Sequence, residues 1–287
     1  MAQAPERLTV FLLTYNHKKY IQKCFDSILS QKTDCPFKVI VLDDSSTDGT
    51  SDIVRDYVQR YPDKVTAVIN ERNLGVVENV YRALCKIDTE YFTILEGDDY
   101  WCDDTKIQSQ IRLLDAHPEC DICGHDAFVK HFEKENMSRM YDYDTAGKSD
   151  VIIFEGRFMP KAHPSSRVYR AVYDFSKVSP KAAAVFDSCL FWFYCLQNPK
   201  FIFINRPLSV YNYTGEGLYS GAGMMKQKLM AMRNIVALNE ALGYKYEDFN
   251  YKRFKKALLR RHRPLFSLMY LFDKKRAYDW FVEKYAQ

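Results

Sequence analysis

No stretch of the 287-residue chain approaches the ~20 consecutive apolar residues that a membrane-spanning helix needs. Long membrane helices that could form an export channel are therefore not expected, which speaks against processive polymerisation with export. Met1–Leu8 lacks the charged-then-apolar layout of a secretory leader. No GxGxxG follows any predicted strand, so the dinucleotide-binding fingerprint is missing as well. The eight cysteines (Cys24, Cys35, Cys85, Cys102, Cys120, Cys123, Cys189 and Cys195) form no paired framework, and a chain of this length needs none. Cys120 and Cys123 make a lone CxxC without a second ligand pair, so buried thiols in a reducing compartment are expected there, not zinc. Strong net charge is lacking too. The balance is +4, and the basic residues gather in the C-terminal tail instead of tracking across a sheet, which speaks against nucleic acid as a partner. These absences predict a cytoplasmic protein whose contact with a membrane is at most peripheral.

What is present suits a folded globular chain: 47% hydrophobic and 27% charged residues, with length for one or two domains. In the first half, strand-like and helix-like segments alternate. Leu8–Thr14 is an apolar run, and Ile21, Cys24, Phe25, Ile28 and Leu29 then recur at helical spacing. Phe37–Leu42 is the next predicted strand, and Ile53, Val54, Tyr57 and Val58 mark the helix after it. Thr66–Ile69 and Tyr91–Leu95 are further strands, separated by a helix carrying Val80, Ala83, Leu84 and Ile87; another helix is expected over 105–117. Such alternation predicts an α/β fold with a mainly parallel, mixed sheet flanked by helices. In these sheets ligands bind beyond the carboxyl ends of the strands. Every strand-end loop in the first hundred residues is polar and rich in Asp or Asn. The second half is less regular. Asp121–Phe132, Val151–Phe154 and Phe201–Asn205 read as strands, 133–150 as a mobile polar loop, Asp187–Gln197 as an aromatic-rich helix, and 224–287 as helices.

Two acidic clusters close predicted strands. Glu96, Asp98 and Asp99 are hard oxygen donors of the kind that hold Mg²⁺ or Mn²⁺ beside substrate phosphates, but an acidic turn capping the next helix is the plainer alternative. Asp43 and Asp44 would repel phosphate; a carboxylate there can accept hydrogen bonds from a ribose or a base N–H, or cap the helix starting near Thr50. The residues alone leave both pairs of readings open.

Quoted in order, these loops resemble the family-2 glycosyltransferases of GT-A fold, of the kind that build bacterial polysaccharides and lipopolysaccharides. The matching stretches are Val10-Phe-Leu-Leu-Thr-Tyr-Asn16, Val41-Leu-Asp-Asp-Ser-Ser-Thr-Asp-Gly-Thr50, Asn73-Leu-Gly75 with Asn79, and Leu95-Glu-Gly-Asp-Asp-Tyr-Trp101. The likeness covers roughly 7–215, strongly to 118 and loosely beyond. It implies an inverting hexosyl- or N-acetylhexosaminyl-transferase that uses a nucleotide-sugar donor, UDP-linked, and Mn²⁺ or Mg²⁺, with a glycan or a lipid-linked acceptor. By the resemblance Leu13 and Tyr15 line the base, Asp44 hydrogen-bonds it, and Arg72 and Asn79 lie near the nucleotide. Glu96-Gly97-Asp98 takes the place of the family's Asp-x-Asp, with Asp98 on the metal or the donor's ribose and Asp99 a second metal ligand. Glu96 departs from the usual first Asp. Asp187 falls where the family deprotonates the acceptor, although Phe186 replaces the acid often found before it. His163-Pro-Ser-Ser166 resembles a stretch lining the acceptor site, with Tyr211 on the same side, and Pro207–Tyr211 followed by Gly215 and Gly217 looks like the family's mobile segment.

The expected layout is a catalytic region over 1–221, with a nucleotide-binding half to 118 and an acceptor half from 119, followed by a basic helical extension over 222–287. In that extension Lys252, Arg253, Lys255, Lys256, Arg260, Arg261, Arg263, Lys274, Lys275 and Arg276 surround Leu265, Phe266, Leu268, Met269, Leu271 and Phe272. A basic amphipathic segment can lie on an anionic bilayer, and a homodimer contact is the alternative use of the same face. Two rival classes remain for comparison. A nucleotidyltransferase would place a Gly-rich basic loop where Thr14-Tyr-Asn-His-Lys18 has no glycine. A non-catalytic nucleotide-sugar-binding or scaffold protein of the same fold is the alternative that acidic loops argue against.

Overall fold

Leu8–Thr14 forms β1, and all seven of its residues are buried. Such an unbroken apolar run is what a central parallel strand needs when both faces of the sheet are covered. Alternate side chains enter different cores: Leu8, Val10 and Leu12 one, Phe11 and Leu13 the other. The structure, a computed structural model, describes residues 4–131, 136–141, 150–156, 162–177, 190–214, 223–259 and 262–286. In α1 (Ile21–Leu29) the buried residues are Ile21, Cys24, Phe25 and Ile28, the stripe that a 3.6-residue period lays against a sheet. The alternation continues through β2 (Phe37–Asp43), α2 (Thr50–Arg60), β3 (Val65–Ile69), α3 (Val76–Leu84) and β4 (Tyr91–Glu96).

β2 and β4 both pair with β1 in parallel, and β3 pairs with β2. The chain thus builds outward from β1 to β3, then returns to add β4 on the other side of β1. Helices α1 and α2 bury their apolar stripes in one core and α3 in the other. Right-handed crossovers of opposite direction put helices on opposite faces and leave a crevice beyond the ends of β1 and β4.

The second half completes the sheet with β5 (Tyr100–Trp101), α4 (Lys106–Ala116), β6 (Ile122–His131), β7 (Met137–Arg139), β8 (Val151–Glu155), β9 (Val168–Arg170), α5 (Leu190–Gln197) and β10 (Lys200–Tyr213). β9, too short to stand out in the sequence, runs antiparallel between β4 and β6 and joins the two halves. β10 is parallel to β6 and antiparallel to β8 and β5. Two expectations change here. β10 extends well beyond Phe201–Asn205, so Pro207–Tyr211 is strand, while Gly215 and Gly217, the rest of the segment expected to be mobile, lie outside the described residues. Pro207 has no N–H for the ladder, and register shifts on both sides of it let pairing resume at Ser209. Within 133–150, the described residues include β7, paired to β6.

Helices α6 (Met224–Ala241), α7 (Glu247–Ala257), α8 (Arg263–Phe272) and α9 (Lys274–Ala286) follow. Met232, Ile235, Phe254, Phe266, Tyr278 and Phe281 give them a cluster of their own, while Ala237 and Leu238 of α6 reach the second core of the sheet. No helix among the described residues is long and apolar enough to cross a membrane.

The junction of the halves rests on aromatic packing. Phe92 of β4 is fully buried, stacked on Tyr169 of β9 at 5.1 Å and edge-on to Phe175 at 6.2 Å. Phe92→Ala is expected to lower the unfolding free energy by about 3–5 kcal/mol in urea denaturation. A loss below about 1 kcal/mol would mean that the halves are not joined through this contact.

Candidate functional site

The loops at the crevice are tied to one another before any ligand is considered. After β1, Tyr15 is exposed and Asn16 adopts φ 56°, a left-handed conformation that Asn tolerates. The Asn16 N–H donates to Ser46 Oγ at 2.9 Å, and its Oδ1 accepts from the Thr47 N–H at 2.8 Å. The adjacent acids after β2 divide their work. Asp43 accepts from the Ser46 N–H (3.1 Å), the Ser46 hydroxyl (2.6 Å) and the Ser51 hydroxyl, so it closes the turn into α2. Asp44 accepts from Asn70 Nδ2 (3.0 Å), the Leu74 N–H (2.7 Å) and the Gly75 N–H (2.8 Å). It therefore anchors the loop after β3 and keeps lone-pair capacity on Oδ2 for one further donor. Asn79 is buried in the same network, accepting from Asn70 Nδ2 at 2.8 Å and donating to the Gly75 carbonyl at 3.0 Å. Arg72 stands exposed on that loop.

At the end of β4 the chain turns tightly against β1. The Gly97 N–H donates to the Leu13 carbonyl at 2.8 Å. A Cβ at Gly97 would lie 2.8 Å from His17 Nδ1 and 2.9 Å from Thr14 Oγ1 and Ile21 Cδ1, so no other residue fits without moving its neighbours. This turn carries Glu96, Asp98 and Asp99, each of which presents a carboxylate oxygen within 4.8 Å of the others. Among the described residues this is the one group of three or more metal-ligating side chains. Asp98 Oδ1 is buried with no hydrogen-bond partner, while Oδ2 lies 3.9 Å from His17 Nε2. Burial lowers the pKa of the His17 imidazole, against the opposing pull of Asp98, so this contact is not a strong ion pair.

Asp99 is held more firmly. Its Oδ2 accepts from the Ser165 hydroxyl at 2.6 Å and its Oδ1 from the Asn212 N–H at 3.1 Å. The Asn212 side chain donates to the Asp98 carbonyl. His163 Nδ1 lies 3.6 Å from Asp99 Oδ2, and its ring packs on Tyr211 with centroids 4.5 Å apart. Burial, with Arg167 adding to it, pushes the His163 pKa down to about 3, so the ring is neutral. Burial first and Asp98 second hold the Asp99 carboxyl well above the usual carboxylate range. Such a set has the character of a divalent-cation site: hard oxygens, one orphaned buried oxygen, and mutual repulsion that a cation relieves. These residues fit Mn²⁺ or Mg²⁺.

The structure thus brings Glu96, Asp98, Asp99, His163 and Tyr211 to one place. Leu13 lines a small cleft with Glu96, Val76 and Val80. Asp187 lies outside the described residues. Ser165, Asn212 and Arg167 were not singled out as individual residues by the sequence. The antiparallel pairing of β10 with β5 carries Asn212 to the acids, and no local pattern announces it. Cys120 and Cys123 are buried, and burial raises their thiol pKa values to about 11 and about 12, as expected of buried thiols.

A sequence model described as glycosyl transferase family 2 matches residues 9–171, more than half of the chain. The chain belongs to this family. An uncharacterized glycosyltransferase of Mycoplasma pneumoniae is 28% identical over 223 residues, covering 73% of this chain and 68% of its own. An uncharacterized protein of Mycobacterium tuberculosis is 37% identical over 122 residues, 42% of this chain; the matched part spans about a third (35%) of that relative's length. Among solved structures, Staphylococcus aureus TarS 1–349 in complex with UDP aligns over 97% of this chain and 90% of its own, with TM-score 0.57 and 20% identity. A mannosyltransferase of Pyrobaculum calidifontis in complex with GDP-Man and Mn²⁺ covers 99% of this chain and 86% of its own, with TM-score 0.54 and 15% identity. The α/β architecture is thus the GT-A fold, and the family-2 glycosyltransferase carries its acids at the strand-order reversal.

Ser165 tests the support behind these acids. Ser165→Ala leaves the ligand oxygens in place but frees Asp99 Oδ2. It is expected to weaken Mn²⁺ binding by about tenfold or more in calorimetric titration, with an unchanged circular dichroism spectrum. Wild-type affinity in this variant would remove Asp99 from the candidate cation site.

Proposed function

We propose that this family-2 glycosyltransferase moves a sugar from a UDP-linked donor to an acceptor hydroxyl, with inversion at C1, in the assembly of a surface polysaccharide or glycolipid. The observation that carries this reading is the convergence of Glu96, Asp98 and Asp99 within 4.8 Å at the crevice beyond β1 and β4. The UDP preference draws on TarS, whose structure holds UDP, and the metal on the mannosyltransferase, whose structure holds Mn²⁺.

In this reading Leu13 and Tyr15 flank the base, and the free acceptor direction of Asp44 takes a base N–H. Arg72 and Asn79 border the nucleotide, Asn79 by holding the loop after β3. Asp98 meets the ribose or the cation, Asp99 and Asp98 hold Mn²⁺ or Mg²⁺, and Glu96 faces the donor. The cation, when bound, supplies positive charge against the leaving diphosphate. An alcohol is a weak nucleophile at neutral pH, so its proton must pass to a base as the new C1–O bond forms and the bond to the diphosphate breaks. Asp187 is that base, and His163 and Tyr211 line the acceptor side. A single base opposite the leaving group gives inversion.

Transfer from a UDP-sugar is expected to vanish with EDTA and return with Mn²⁺. Asp187→Asn is expected to lower turnover about a hundredfold or more while UDP affinity stays near wild type. Near-normal turnover in that variant removes Asp187, and transfer that survives EDTA removes the metal.

Catalysis is placed in residues 1–221 and membrane contact in 222–287. Leu265, Leu268, Leu271 and Phe272 of α8 are exposed, the last two by 80% and 85%, with Lys274, Lys275 and Arg276 exposed next to them. An apolar face edged by cations suits the anionic inner face of a plasma membrane, where a lipid-linked acceptor would lie. Leu271→Glu with Phe272→Glu is expected to abolish co-sedimentation with vesicles containing anionic phospholipid. Unchanged co-sedimentation refutes this placement, and a dimer lost in the same variant during sedimentation analysis assigns the face to self-association instead.

A further inference from the structure

Three guanidinium groups around the sheet pair with carboxylates among the described residues. Arg139 pairs with Asp126 at 2.6 Å, Arg7 with Asp115 at 2.6 Å, and Arg170 with Glu90 at 3.6 Å. Arg167 is different. It is 8% exposed, and its polar contacts are neutral: Nη1 donates to the Tyr169 hydroxyl at 3.3 Å and Nη2 to the Ala162 carbonyl. The guanidinium lies over the Phe191 ring, 4.6 Å from its centroid, and Nε has no hydrogen-bond partner. Among the described residues no carboxylate comes within ion-pair distance of it.

Arginine cannot shed its proton to escape this position, because its pKa lies above the physiological range. A buried cation without an anion is costly, and proteins supply the anion or take it from a ligand. The main chain that carries it is fixed as well. The Thr93 hydroxyl donates to the Arg167 carbonyl at 2.6 Å, at the point where β9 joins β4. Arg167 lines the cleft shared by Leu13, Ile94, Glu96, Val80 and Leu190, directly beside the acids of the donor site. The space that a water-sized group can enter in that cleft is about 20 Å³, room for a small substituent such as the oxygens of a carboxylate. Apart from Glu96 and Tyr169, the other described residues that line it are apolar. A planar carboxylate, smaller and less hydrated than a phosphate, matches the guanidinium fork in such a space.

We propose that Arg167 reads a carboxylate on the transferred sugar, so that the donor is a nucleoside-diphosphate uronate. This deepens the glycosyl-transfer reading above and rests on it. A neutral hydroxymethyl group would also fit the space, but it leaves the charge of Arg167 uncompensated. Glu96 on the same wall sets the condition for binding, since its charge opposes a carboxylate until a cation occupies the acid cluster.

The test is calorimetric titration of the full chain, with Mn²⁺ present, by UDP, a UDP-hexose and the matching UDP-uronate, for wild type, Arg167→Lys and Arg167→Met. Wild type is expected to bind the uronate about tenfold to a hundredfold more tightly than the neutral sugar. Arg167→Met should erase that preference while UDP affinity stays within about threefold, and UDP binding doubles as the check that the variant is folded. Arg167→Lys should retain part of the preference, because the charge remains and the fork is lost. Equal wild-type affinity for the two sugars overturns the proposal while leaving the transferase reading intact. So does a loss of UDP affinity in Arg167→Lys that matches the loss of uronate affinity, which would assign the guanidinium to the diphosphate. If wild type binds none of the three nucleotides, the transferase reading falls, and this proposal falls with it.

Discussion

The carboxyl end of β1 is the reference to which the rest of the site is fitted. Two consecutive carbonyls there receive the neighbouring strands: Leu13 accepts from Gly97 and Thr14 from Asp44. One bond sets the height of the acidic turn and the other sets the turn that carries Asp43 and Asp44. The next strand out follows the same rule, with the Asn70 N–H donating to the Asp43 carbonyl. Loops that would otherwise be independent thus share one origin, and the shortest of them tolerates no side chain at Gly97. Backbone hydrogen bonds at strand ends are individually modest, about 1 kcal/mol net, but here they fix positions for charged groups whose interaction depends steeply on distance.

Electrostatics then explain why the surroundings are so heavily bonded. Three carboxylates within 4.8 Å repel one another, and burial raises the cost for Asp99 in particular. The protein offsets part of this with neutral donors: the Ser165 hydroxyl, the Asn212 N–H and the Asn212 amide on the Asp98 carbonyl. Neutral donors hold the oxygens in place without satisfying them as a cation would. The adjacent pair Asp43 and Asp44 faces the same repulsion and meets it differently, with each carboxylate directed to a separate set of N–H and O–H donors. The first pair is thus largely satisfied by the loops it ties together, with Oδ2 of Asp44 retaining one acceptor direction, whereas Asp98 Oδ1 in the second group has no hydrogen-bond partner.

Arg167 and the acid cluster are two sides of one design. The second half of the chain contributes both the residues that steady the acids and the cation placed beside them, through β9, β10 and the turn at Pro164–Ser166. These segments reach the site only because β9 runs antiparallel between β4 and β6 and because β10 re-enters pairing after Pro207. The first half supplies the crevice that many parallel sheets share; the second half adds the side chains that distinguish this one.

Much of the first half was legible in the chain itself. A continuous apolar run for β1, helical spacing at Ile21–Ile28 and polar strand ends follow from local period and turn chemistry, and these are short-range properties that a sequence displays directly. The acids Glu96, Asp98 and Asp99 were visible for the same reason, being neighbours in the chain. Which acid of the pair at 43–44 closes a turn and which anchors a distant loop was not visible, because the partners of Asp44 lie 26 to 31 positions away. Asn212 meets Asp98 and Asp99 across more than a hundred residues, and Arg167 stands out only because its polar contacts among the described residues are all neutral. Sequence alone determined the alternation of elements and the chemical type of each strand end, since those depend on nearest neighbours. Tertiary structure decided which groups are satisfied and which remain open, since that depends on strand pairing between segments that no local pattern connects.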